Sequence, residues 1–157
     1  MRLFADTDHR IAAALFAFSL VVYVLTMSPT INFWDCAQFV AVSHTLGIPH
    51  QPGTPLYVLV GKVFSLLPLG IGIAHKINLI SAVFSALAVS FMYLTGVRLQ
   101  RNWSSEKEDP SPAWIRRSGA AIGALFLALS YTFWNNAIEA EVYALSAFTM
   151  AFGSFLA

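Results

Sequence analysis

From Ile77 to Val97 the chain carries no charged side chain and no proline. A helix of that length rises about 30 Å, the thickness of a bilayer's hydrocarbon core. Composition says which solvent such a segment faces. Of 157 residues, 57% are hydrophobic and 11% are charged, with mean hydropathy +0.67. A soluble domain would carry roughly a quarter charged residues. Here the charges are confined between apolar runs, so the bilayer is the natural solvent.

Three more runs fit the same description. Ile11–Met27 is uncharged and ends before Pro29, which removes a backbone donor and restricts Ser28. Ser118–Trp134 and Val142–Ala157 follow later in the chain. The predicted fold class is therefore an all-α membrane protein with about four transmembrane helices, at 11–27, 77–97, 118–134 and 142–157. Two shorter segments, 33–46 and 55–67, have helical character but too few apolar residues to span. The second is interrupted by Lys62 and stopped by Pro68. Both are predicted to lie at the interface in the first outer loop. Asp6 and Asp8 precede the first run, and no small-residue cleavage site follows it, so it is expected to be retained as an anchor. The chain stops inside an apolar run, and 1–157 is taken as the N-terminal portion of a longer polytopic domain, truncated at its C-terminus.

Lysine and arginine orient this arrangement. With 55–67 on the surface, Arg2, Arg10, Arg98, Arg101, Lys107, Arg116 and Arg117 share one side, and only Lys62 and Lys76 lie on the other. The N-terminus is then cytoplasmic. If 55–67 spanned instead, the basic loop from Arg98 to Arg117 would be pushed outside, with Lys62 in hydrocarbon. The favoured topology brings Asp35, Glu139 and Glu141 to the outer face, with few basic residues near them. Three such acids at one interface are costly without a cation, a proton or a substrate to compensate them.

Each candidate also has a structural explanation. Asp35, three positions after a candidate cap at Asn32, would favour the helix dipole; Glu139 and Glu141 would do so at the next helix start. On a helix these two would face nearly opposite directions, so only one would share a site with Asp35 unless the link is extended. His50, in the turn from Pro49 to Gly53, would contact a phosphate, ligate a metal or close the turn. Lys62 would meet a lipid headgroup or a phosphate, and Asn135 and Asn136 would solvate their link. A net charge of +1 with scattered basic residues excludes a nucleic-acid partner. Cys36 is the only cysteine, which excludes an internal disulfide and a thiol metal cluster.

Four stretches carry a family likeness: NFWDCAQF, GIPHQPGTPL, KINLISAVFSAL and FWNNAIEAEVYAL. Each is weak alone. In register, from about Ser28 to Leu145, they resemble the protein O-mannosyltransferase-like branch of the GT-C membrane glycosyltransferases, which has a W-D-x-x-E motif after its first span. The resemblance implies two interfacial helices in the first outer loop, a catalytic acid at Asp35 and a second acid at Glu141. It also implies a polyprenyl-phosphate sugar donor and a hydroxyl acceptor on a protein or glycan. Trp34, Gln38, His50, Lys62 and Glu139 are then the candidates for substrate binding. No organic cofactor is implied; a divalent metal held by Asp35 and Glu141 is one candidate for balancing the phosphate. The location would be a bacterial inner membrane or the endoplasmic reticulum. Two positions depart from the pattern: Gln38 stands where the family has Glu, and Gln51 where a Pro is usual. The competing classes are a transporter or channel with an outward cation site, and a fragment inert on its own. Intramembrane acids would favour transport, and here every acid falls in a loop or at a helix end.

Overall fold

The computed structural model describes residues 6–32, 34–51, 54–103 and 112–157. Within them the elements are α1 (Asp6–Thr26), α2 (Cys36–Thr45), α3 (Pro55–Ser65), α4 (Ile73–Trp103), α5 (Ala113–Leu129), α6 (Tyr131–Ala137) and α7 (Val142–Leu156). The all-helical expectation holds: no strand occurs among the described residues. Phe33, the Pro52–Gly53 part of the turn, Arg2 and Lys107 lie outside the described residues.

The expectation of four spans does not hold. Two described helices, α1 and α4, are long and apolar enough to cross a membrane. At 17 and 15 residues, α5 and α7 fall short. The expected span 118–134 breaks at Ser130, whose backbone is extended (φ −67°, ψ 139°). Both its N–H and its hydroxyl turn back onto the Leu127 carbonyl, at 3.2 and 2.8 Å, so α5 stops and α6 starts afresh. α1 begins earlier than expected because Asp6 and Asp8 occupy its first turn, where the helix dipole favours acids. Asp8 also pairs with Arg117 Nε at 2.6 Å.

The 31-residue α4 is the axis of the fold and packs against all six other helices. One apolar cluster joins α1, α4 and α5 through Leu15, Val89, Tyr93 and the stripe Ala120, Ala124, Ala128. Those alanines recur every four residues and let the α5 backbone approach α4 closely. A second cluster joins α2, α3, α4 and α7 through Cys36, Phe39, Tyr57, Ile77, Ile80 and Leu145. α2 and α3 touch at Gly61, where a Cβ would stand 2.2 Å from Ser43 Oγ and 2.5 Å from Ser43 Cβ. Only glycine fits there.

The bundle has two chemically distinct ends. At one, α1 and α5 begin and α4 and α7 finish, with Arg10, Arg98, Arg101, Arg116 and Arg117 gathered there. Arg98 donates to the Phe155 carbonyl. At the other end are α2, α3, α6, the start of α4 and the entry to α7. Lys62 and Lys76 are here, bonded to the carbonyls of His44 and Ser65 at 2.7 and 3.4 Å.

Candidate functional site

The lysine-bearing end also holds the acids. The loop leaving α1 docks on the link between α6 and α7: Ser28 N–H donates to the Ile138 carbonyl at 3.0 Å, and Asn32 Nδ2 donates to Glu139 Oε2 at 2.8 Å. Asn135 Nδ2 approaches the other oxygen of Glu139 at 3.3 Å. Asn135 therefore holds an acid instead of merely solvating the link, as its sequence context suggested.

Asp35 is the residue immediately before α2, whose first backbone bond runs from Phe39 N–H to the Asp35 carbonyl at 2.9 Å. Helix 33–46 was expected to start earlier, capped by Asn32. Instead the Asn32 side chain is taken up by Ser28 and Glu139, and α2 begins at Cys36. The Asp35 carboxylate makes no capping bond. It points toward His50, with Oδ2 at 3.7 Å from Nε2, and its side chain is 55% exposed. His50 Nδ1 meets Gln38 Oε1 at 2.5 Å. In that amide orientation the ring must carry its proton on Nδ1, and Nε2 is left for Asp35 or for a ligand. The contact with Asp35 is an ion pair when the ring is protonated. Asp35, Gln38 and His50, three of the candidates read from the sequence, thus form one cluster.

Trp34 stands beside it, 93% exposed, with φ at +65°. The other described non-glycine residues with positive φ are Leu46 and Thr54, so such strain is concentrated at the edges of α2 and α3. Left-handed backbone at bulky residues persists only where its surroundings over-determine it, and it clusters at functional sites.

Glu141 sits differently. It is 8% exposed and immediately precedes α7 in extended backbone (φ −137°, ψ 144°). The link is not helical: it bends at 138–140 and is extended at Glu141, so helical spacing does not govern how Glu139 and Glu141 point. Burial pushes the Glu141 pKa up to about 7, with the charges of Glu139 and Asp35 adding to the rise and the Val142 N–H opposing it. Its backbone is pinned to α4: its N–H reaches Ser81 Oγ at 3.2 Å, and the same hydroxyl lies 3.4 Å from its carbonyl. Burial also raises the pKa of the Cys36 thiol, which the Asn32 and Ala140 backbones oppose and the charges of Glu139 and Glu141 reinforce.

Lys62 is placed outside this cluster, fastening α3 to the C-terminal turn of α2 through the His44 carbonyl. No three His, Cys, Asp or Glu side chains come together to hold a metal ion among the described residues. A cleft of about 550 Å³, lined by Ser85, Ser130, Phe133, Asn136 and Tyr143, opens beside α6 and the start of α7, and none of the acids lines it.

Residues 35–157 match the protein O-mannosyl-transferase TMEM260 N-terminal domain. The chain belongs to this family. The match begins at Asp35 and takes in the acids of both segments. Relatives of the TMEM260 family include mouse protein O-mannosyl-transferase TMEM260, 28% identical over 136 residues, covering 86% of this chain and 17% of the relative. Protein O-mannosyl-transferase tmem260 of Dictyostelium discoideum is 27% identical over 145 residues, covering 90% and 16%. The chain spans about one-sixth of the length of these relatives. No solved structure matches it.

Residues missed from the sequence lie mostly on α4. Asn78 and Ser81 were treated as part of an uncharged span, yet both are fully buried and bonded to loops. Tyr57 of α3, also buried, carries no mark in the sequence that sets it apart from the other aromatics. The available signal was an asparagine and two serines (Asn78, Ser81, Ser85) at helical spacing in an otherwise apolar run, where polar side chains need interior partners.

Proposed function

We propose that this chain is the N-terminal part of a membrane glycosyltransferase that moves a sugar, a hexose such as mannose, from a polyprenyl-phosphate donor to a hydroxyl on a protein or glycan at the outer face of the membrane. The observation that carries this reading is the convergence of Asp35, Glu139 and Glu141 on the bundle end opposite the arginines. Family membership supports it, since both relatives are named protein O-mannosyl-transferases.

In this mechanism Asp35 accepts the proton of the acceptor hydroxyl as that oxygen attacks the anomeric carbon. The new carbon–oxygen bond forms as the bond from the anomeric carbon to the phosphate oxygen breaks, and the polyprenyl phosphate leaves. His50 stands against Asp35 and supplies positive charge or a donor to the departing phosphate. Lys62, in the same outer loop, is the next basic group. Glu141, whose pKa burial pushes up to about 7, and Glu139 beside it complete the acidic wall. Trp34 and Gln38 flank the reacting carboxylate and are assigned to substrate binding. Placement at an interface suits the substrates: the isoprenoid stays in lipid while the acceptor arrives from water.

The full-length protein, incubated with a radiolabelled polyprenyl-phosphate hexose and candidate acceptors, should transfer label. Asp35→Asn should abolish transfer and leave membrane insertion intact. Retained transfer in that variant would remove Asp35 from the mechanism.

A further inference from the structure

One face of α4 touches both acid-bearing segments. Asn78 and Ser81 are three positions apart, one helical turn, and both are inaccessible to solvent. The Asn78 amide directs both of its N–H donors at main-chain carbonyls of the loop leaving α1, Ser28 at 2.9 Å and Thr30 at 3.0 Å. Its oxygen faces the thiol of Cys36 at 3.8 Å, and Cys36 is the residue after Asp35. One turn on, Ser81 Oγ engages both main-chain groups of Glu141. The buried Tyr57 hydroxyl has no hydrogen-bond partner among the described residues, and burial above all raises its pKa, with the charges of Cys36 and Glu141 adding to the rise and Ser81 opposing it. Three segments, around 28–36, 57 and 141, thus meet at one polar seam on an otherwise apolar helix.

Packing alone does not call for this. Ile77, Ile80 and Ala82, on the same stretch of α4, supply the apolar contacts. A buried asparagine is costly unless its donors and acceptor are satisfied, and here the donors meet the Ser28 and Thr30 carbonyls of the loop that leads to Asp35, while the acceptor faces the Cys36 thiol. Hydrogen bonds of this kind fix position and register, whereas apolar contacts permit sliding.

We infer that Asn78 and Ser81 are positioning residues that set the spacing between Asp35 and Glu141. The inference rests on the glycosyl-transfer reading of those two acids and adds to it the part that holds them in place. A misplacement of about 1 Å at a reacting group can cost about 100-fold in rate, so removing either anchor should lower kcat while substrate affinity stays nearly constant.

The test uses full-length protein with Asn78→Ala, Ser81→Ala and Ser81→Thr, a polyprenyl-phosphate hexose donor and a hydroxyl-bearing peptide. Alongside transfer, N-ethylmaleimide modification of the Cys36 peptide and amide exchange at Glu141 are followed by mass spectrometry. Asn78→Ala should expose Cys36 to alkylation and reduce kcat by about 10- to 100-fold with KM within about twofold. Ser81→Ala should reduce kcat similarly and speed exchange at the Glu141 amide while Cys36 stays protected. Ser81→Thr, which keeps the hydroxyl, should restore kcat. Unchanged kcat in both alanine variants, a KM rise that accounts for the loss, or a threonine variant no better than alanine would overturn the inference. If Asn78→Ala does not accumulate, the two Ser81 variants decide. If the wild-type protein transfers no sugar, the glycosyl-transfer reading falls, and the alkylation and exchange results still judge the two anchors: protection unchanged in the variants would overturn them as well.

Discussion

The side-chain amide of Asn32 donates to Glu139 Oε2 at 2.8 Å, joining positions 107 residues apart. With Ser28 N–H on the Ile138 carbonyl, this bond locks the segment before Asp35 to the segment before Glu141. The two acid-bearing loops therefore form one surface.

That bond has a charged acceptor and an exposed setting, so Asn32→Ala should cost about 1 kcal/mol. In a chain of this size the melting temperature should fall by about 2–4 °C. Asn32→Asp should cost more at neutral pH, because it sets a second carboxylate against Glu139 and removes the amide donor. Equal melting of the alanine and aspartate variants at neutral pH would show that the contact does not bear on stability.

Gly61 permits the close approach of α2 and α3. An added methyl would overlap Ser43 Oγ and Cβ; the hydroxyl can rotate away, but the Cβ is fixed to the α2 backbone. Gly61→Ala should destabilise by about 1–3 kcal/mol. Ser43→Gly removes both overlapping atoms, so the double variant should recover much of that loss. A double-mutant cycle measured by thermal unfolding reads the coupling, and additivity of the two changes would refute the steric account.

These contacts show what was legible in the sequence and what was not. The short helices around 33–46 and 55–67 could be read from length, Lys62 and the surrounding prolines, because those features act locally. Three of their four ends shifted, by one to three residues, the largest shift being where a side chain found a distant partner: Asn32 was a reasonable cap until Glu139 claimed it. The gathering of Asp35, Glu139 and Glu141 at one end could be inferred from the alternation of apolar runs and the placement of arginines. The break at Ser130 could not, since Ser118–Trp134 is uncharged and free of proline, and a serine gives little warning of an extended backbone. The roles of Asn78 and Ser81 were hidden for another reason: their partners lie 42 to 60 positions away, beyond any local pattern.

Glu141 makes stability depend on pH. Its folded-state pKa rises from 4.5 to about 7, so the folded protein binds the proton more tightly than the unfolded chain. Stability from this group is complete below about pH 4.5 and is lost as pH rises through about 7, a change of at most about 3 kcal/mol. Glu141→Gln should remove that dependence. The melting temperature of wild type relative to the variant should fall between about pH 5 and pH 7.5. A constant difference across that range would mean that Glu141 ionises no differently in the folded protein.

The orientation of the bundle can be read by single-cysteine labelling in intact membranes. Cys36 is buried and gives little background. Ile48 and Tyr131 are 91% and 85% exposed at the acidic end, and Asn102 is exposed at the arginine end. With the arginines held in the cytoplasm, Ile48→Cys and Tyr131→Cys should react with an impermeant maleimide added outside, and Asn102→Cys only after permeabilisation. Labelling of Ile48→Cys and Tyr131→Cys from opposite sides would separate Asp35 from Glu141 by a bilayer. No single site could then use both acids, and the proposed transfer reaction would lose its geometry.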